Sequence, residues 1–134
     1  MSSIPAAEDV LDPDEAVYDL PAVASMLGVP VTKVHQHLRE GHLIAVRRDG
    51  VVVVPTIFFD GSGHVVKSLS GLLVVLRDGG YHETEILRWL FTPDSSLTIS
   101  RDGATEAQPN ARPVDALHSH QAREVVRRAQ AMAY

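Results

Sequence analysis

The chain has 134 residues, 45% of them apolar, with a formal net charge of −5, enough for one domain with a core of its own, or for one domain and an extension. It has no cysteine, which excludes disulfides, thiolate metal sites and cysteine nucleophiles. No apolar run approaches the ~20 residues needed to cross a bilayer, and the first residues lack the basic-then-apolar layout of a signal peptide, so the expected compartment is the cytoplasm.

Residues 1–16 are polar and acidic, carry Pro5 and Pro13, and follow neither a helical nor an alternating period. They are expected to form a disordered tail. Residues 17–60 predict a winged helix-turn-helix. In its first helix Leu20, Val23, Ala24 and Leu27 form one apolar stripe. Asp19 or Leu20 is the N-cap, and Pro21 fits the first turn because its missing N–H would have no intrahelical partner there. Gly28 supplies the left-handed residue that ends the helix. A short turn through Val29-Pro30 then forces a steep crossing of the two helices.

The second helix is predicted over residues 31–40, stopping at Gly41. Val31, Val34 and Leu38 fall on one side, while Thr32, Lys33, Gln36, His37 and Glu40 point the other way, with Arg39 on the flank and His35 near the buried edge. A helix presenting such donors can lie in the major groove, ~12 Å wide, and reach base edges. Residues 42–54 predict a hairpin, because Asp49-Gly50 between two β-prone runs suits a type I′ turn. Arg47 and Arg48 then flank its tip, where arginines suit phosphate or minor-groove contact.

Beyond the hairpin, Ile57 to Phe59 should pack beneath it. The Gly61-Ser62-Gly63 break is no phosphate loop, since it lacks the lysine and the helix entry. Residues 61–134 are expected to form a helical region packed on the winged helix. Its first helix spans residues 69–78, with Leu72, Leu73 and Leu76 inward, and stops at Gly79-Gly80. A second spans residues 82–91, with Ile86, Leu87, Leu90 and Phe91 inward and Glu83 and Glu85 in the first turn, where the helix dipole favours carboxylates. Residues 97–99 read as a short β segment and residues 101–110 as loop. One long amphipathic helix is predicted over residues 113–132, its stripe running through Val114, Leu117, Ala122, Val125, Val126, Ala129 and Met132; it either closes its own domain or pairs with a second copy. The fold class is therefore mainly α with a small β-hairpin.

The charge distribution sharpens the function. Residues 1–20 hold six acids and no bases, whereas residues 31–48 set Lys33, Arg39, Arg47 and Arg48 against Glu40 alone. The candidate DNA-reading segment is a basic island in an acidic chain, so non-specific affinity should be modest, which favours a dimer or a partner supplying further contacts.

Seven histidines raise the question of a metal. His35 and His37 are two apart, as are His118 and His120, and such pairs on a helix face different directions; no metal site and no cofactor are expected. No serine is tied to a histidine and an orienting acid, and Glu83 and Glu85 cannot work as an acid–base pair across a bond, so no catalytic activity is expected.

The acidic VLDPDE of residues 10–15, the REGHL and AVRR of residues 39–48, the VVKSL of residues 65–69, the EILRWLFTP block ending at Pro93 and the RPVDALHSHQAREVVRRAQAMAY terminus together resemble a mycobacterial family of winged helix-turn-helix DNA-binding proteins, described as substrates of the serine/threonine kinase PknL. The resemblance covers nearly the whole chain. It implies DNA binding through the second helix and the wing, without catalysis, and carries over to Lys33, Gln36, Arg39, Arg47 and Arg48. It also implies a kinase as partner, acting on a threonine of the N-terminal tail. Here the first threonine is Thr32, inside the reading helix, and the tail hydroxyls are those of Ser2 and Ser3. The second half is more weakly similar to DNA-binding antitoxins of toxin–antitoxin pairs.

The function expected is double-stranded DNA binding by a transcriptional regulator, with Thr32, Lys33, Gln36, His37, Arg39, Arg47 and Arg48 as contacts. The alternative is a protein-interaction module, antitoxin-like or kinase-binding, with DNA binding secondary.

Overall fold

A computed structural model describes residues 5–99 and 108–134. The first half is a winged helix-turn-helix: β1 (Ala7–Glu8), β2 (Val17–Asp19), α1 (Leu20–Leu27), α2 (Val31–Arg39), β3 (Val46–Arg48) and β4 (Val51–Pro55), followed by a 3₁₀ turn over Thr56–Phe58. The second half holds α3 (Leu69–Asp78), α4 (Glu83–Phe91), β5 (Asp94–Ile99), β6 (Gln108–Ala111), α5 (Pro113–Ala116) and α6 (Ala122–Ala133).

Local chemistry sets the helix-turn-helix. The Asp19 carboxylate caps α1, accepting from the Ala22 N–H at 2.8 Å, with Pro21 in the first turn. At the other end Gly28 adopts φ 69°, the Gly28 N–H donates to Ser25 O and the Val29 N–H to Ala24 O. That pair of bonds is a Schellman motif. In α2, Val34 and Leu38 are buried as the stripe predicts, but Val31 is 38% exposed. A helical wheel ignores position along the axis, and Val31, in the first turn of α2, is only partly covered.

The wing hairpin turns at Asp49-Gly50, whose φ values of 52° and 79° are the two positive values of a type I′ turn. It is not a lone hairpin. It forms the centre of a four-stranded sheet ordered β1-β3-β4-β2, with Ala7 opposite Val46 in parallel and Tyr18 opposite Val54 antiparallel. The flanking strands cover both edges of the hairpin near its base, and the stretch from Arg48 to Val51 extends past them. The first strand of the expected 42–54 hairpin begins only at Val46; Leu43, Ile44 and Ala45 are buried as irregular chain.

Residues 5–16 therefore depart from the expected disordered tail. Besides pairing through β1, they bury Leu11, and two arginines hold their carboxylates: Arg48 bonds Asp9 at 2.7 Å and Arg112 bonds Glu15. Low hydrophobicity argues for disorder only while acids lack partners, and here the partners are distant in sequence. Residues 1–4, with Ser2 and Ser3, lie outside the described residues.

One contiguous core joins the two halves. Phe58, fully buried under the wing, meets Phe91 of α4 with ring centroids 5.9 Å apart. His118 Nε2 lies 2.6 Å from the Ile57 carbonyl oxygen. The predicted terminal helix is broken into α5 and α6, because the Ser119 hydroxyl donates to Ala116 O at 2.7 Å and accepts the Gln121 N–H at 3.1 Å, bonding the local backbone in place of a continuing helical ladder. The stripe survives the break, with Val114, Leu117, Val125 and Ala129 all buried. The expected loop over residues 101–110 lies mostly outside the described residues; its last three residues belong to β6, paired with β5.

Candidate nucleic-acid interface

The outward face of α2 carries Thr32, Lys33 and Arg39 exposed, and Gln36 half-buried. The face is already bonded to itself. Lys33 Nζ lies 3.5 Å from Gln36 Oε1, and Gln36 Nε2 donates to Glu40 Oε1 at 2.8 Å. These are the i+3 and i+4 spacings at which helix side chains meet. A base edge seeking the Gln36 amide would replace those partners, whereas Thr32 and Arg39 offer their groups directly to solvent.

His37, expected to point outward, is half-buried, and its Nδ1 is buried with no hydrogen-bond partner. Burial, helped by the neighbouring His42 and Lys33, holds its imidazole below the usual histidine range. It is neutral at neutral pH and brings no cationic charge to the face.

In the wing, strand alternation separates the two arginines. Arg47 is exposed. Arg48, on the face of Val46, is drawn into the N-terminal segment: Nε donates to Asp9 Oδ2 at 2.7 Å, Nη2 to Asp9 Oδ1 at 3.3 Å, Nη1 to Glu15 O at 2.9 Å and Nη2 to Asp12 O at 3.3 Å. Its guanidinium is a structural clamp, so it is removed from the freely available DNA contacts. The accessible cations of the interface are Lys33, Arg39 and Arg47, set against Glu40.

Sequence reasoning missed two features. Asp9 as a partner of Arg48 carried no sequence signal, since 39 positions separate them. The second had a signal that was passed over: His37 and Glu40 are three apart on one helix face, and His42 follows the terminating Gly41. Ligand atoms of these three residues lie within 4.8 Å of one another, the one grouping of at least three histidines and acids among the described residues compact enough to hold a metal ion.

Two family models match the chain. Residues 3–59 match that described as DNA-binding protein Rv2175c, wHTH domain, and residues 66–133 match the Rv2175c C-terminal domain of unknown function. The DNA-binding protein Rv2175c of Mycobacterium tuberculosis is 73% identical over 134 residues, spanning 100% of this chain and 92% of that protein. A solved NMR structure of Rv2175c superposes with a TM-score of 0.88 at 74% identity, over 99% of this chain and 91% of the other.

Proposed function

Because the chain belongs to the DNA-binding protein Rv2175c family, we propose that it binds double-stranded DNA, inserting α2 into the major groove and laying the wing tip on the adjacent backbone. The observation that carries this reading is the joint exposure of Thr32, Lys33 and Arg39 on α2 and of Arg47 on the hairpin. Groove reading needs short polar and cationic groups on the second helix, and phosphate contact needs cations beside it. With three accessible cations per copy, tight binding requires a second copy or a partner that adds contacts.

On this reading the protein is a cytoplasmic transcriptional regulator. Control by a serine/threonine kinase through the tail would fall to Ser2 or Ser3. The shared core, with Phe58 against Phe91, favours a supporting role for residues 61–134 over a separable interaction module.

The test is fluorescence anisotropy of labelled duplex DNA at two salt concentrations. Lys33→Ala, Arg39→Ala and Arg47→Ala should each weaken binding, and each lost phosphate contact should lower the salt slope by about 0.9. Salt-insensitive binding, or binding indifferent to all three changes in folded protein, would remove α2 and the wing from the interface.

A further inference from the structure

We propose that His37, Glu40 and His42 form a binding site for a divalent transition-metal ion of the zinc class at the C-terminal end of α2. The site follows from how the helix ends. Gly41 takes φ 78°, its N–H donates to Leu38 O at 3.2 Å, and the His42 N–H donates to His37 O at 2.9 Å. These two bonds are a Schellman motif, which folds the residue after the glycine back over the residue five before it, a place where two apolar side chains usually meet. Here it brings together two imidazoles, with ring centroids 5.7 Å apart. The Ser70 hydroxyl donates to His42 O at 3.0 Å, and the Arg77 side chain packs so closely on Gly41 that a Cβ there would lie 1.8 Å from its Nη1. The turn is thus fixed from α3.

Glu40 completes the set. Its Oε2 lies 3.5 Å from His42 Nδ1, and one ligand atom from each of the three residues falls within 4.8 Å of the others. Its other oxygen, Oε1, accepts from Gln36 Nε2 at 2.8 Å, so the carboxylate is oriented by a neighbour while Oε2 faces His42. An outer hydrogen bond of this kind is a regular part of metal sites. The second independent sign is His37 Nδ1, buried and without a hydrogen-bond partner. A buried ring nitrogen left unbonded costs free energy, so the His37 imidazole stands in the grouping with one nitrogen uncommitted.

Two imidazoles and one carboxylate select a cation of intermediate softness such as Zn²⁺, Ni²⁺ or Co²⁺ over Mg²⁺ or Ca²⁺, which prefer all-oxygen sets. Three protein donors leave coordination positions for water or for a group from another molecule. The inference does not depend on DNA binding, although Gln36 would serve both.

The test is calorimetric titration of the full chain with ZnCl₂ at neutral pH, repeated with Co²⁺ and followed by its visible absorption, for wild type, His42→Ala, Glu40→Gln and His120→Ala. One equivalent should saturate the wild type, and the ring NMR signals of His37 and His42 should shift together. His42→Ala and Glu40→Gln should each weaken binding at least about tenfold, since even the loss of an outer-shell partner costs that much, while His120→Ala leaves it unchanged. His42 and Glu40 have exposed side chains, so both variants should fold, which circular dichroism checks. No metal uptake by the wild type, or uptake that His42→Ala leaves intact, would overturn the site.

Discussion

Arg48 grips Asp9 through both carboxylate oxygens, at 2.7 and 3.3 Å, and so turns one of two wing-tip arginines into a tie for the N-terminal segment. Asp9→Ala should lower the stability of the fold by about 1 kcal/mol, the upper range for a partly exposed pair with good geometry, and should loosen β1 from β3. Chemical denaturation compared with wild type measures the first, and amide exchange at Val46 and Arg47 the second.

The same pair predicts a pH dependence. Arg48, chiefly through its hydrogen bond, holds the Asp9 carboxyl below the usual carboxylate range. The unfolded chain lacks that partner and takes up the proton at a higher pH. The stabilisation is therefore complete above the unfolded value of about 3.9 and is lost as pH falls through the lower folded value. The stability gap between wild type and Asp9→Ala should stay constant from neutral pH to about pH 5 and close under stronger acid. A gap that widened on acidification would contradict the pairing.

Arg47 and Arg48 should separate on mutation. Arg47→Ala should reduce DNA affinity and its salt slope with little change in melting temperature, because its side chain is exposed. Arg48→Ala should lower the melting temperature, because it leaves Asp9 and two backbone carbonyls without their donor. Thermal melts beside DNA titrations distinguish the two; equal melting behaviour would argue against the clamp.

Gly41→Ala should destabilise the fold by about 1 kcal/mol or more, the cost of holding a side-chain-bearing residue at positive φ, with Arg77 forced to move as well. Because the same turn brings His42 over His37, their ring signals should shift in this variant even where it remains folded. Unfolding experiments and histidine NMR report on the two effects separately.

Phe58→Ala should cost about 3–5 kcal/mol, as expected for removal of a buried aromatic ring, and it should act on both halves at once. Phe58 belongs to the core that runs from Leu11 to Ala129, so tryptophan fluorescence from Trp89 in α4 and far-ultraviolet circular dichroism should follow one transition. Two separated transitions would mean that residues 17–60 fold independently, in which case truncation near Asp60 would leave a folded winged helix. With Phe58 buried and its ring against Phe91 of the second half, such a truncation should instead unfold.

The elements legible in the sequence are those governed by neighbours a few positions apart. Gly28 and Gly41 end the two helices at positive φ, Asp49-Gly50 makes the hairpin, and Leu72, Leu73 and Leu76 of α3 and Ile86, Leu87 and Leu90 of α4 are buried where their spacing put them, with Phe91 only partly so. Periodicity and turn chemistry act within a few residues, so the order of helices and wing could be read directly, and with it the outward position of Thr32 and Lys33.

What only the tertiary structure decided depends on partners far along the chain. Arg48 meets Asp9 across 39 positions and Arg112 meets Glu15 across 97, and those two pairs hold an acidic segment that composition alone consigns to disorder. The exposure of Val31 reflects which neighbours reach the first turn of α2. His37, Glu40 and His42 sit close enough in sequence to be noticed, but only the left-handed turn at Gly41, braced by Arg77 and Ser70 of α3, brings their ligand atoms together. Local sequence fixes which conformations a segment prefers; long-range packing chooses which charges stay free and which become part of the fold.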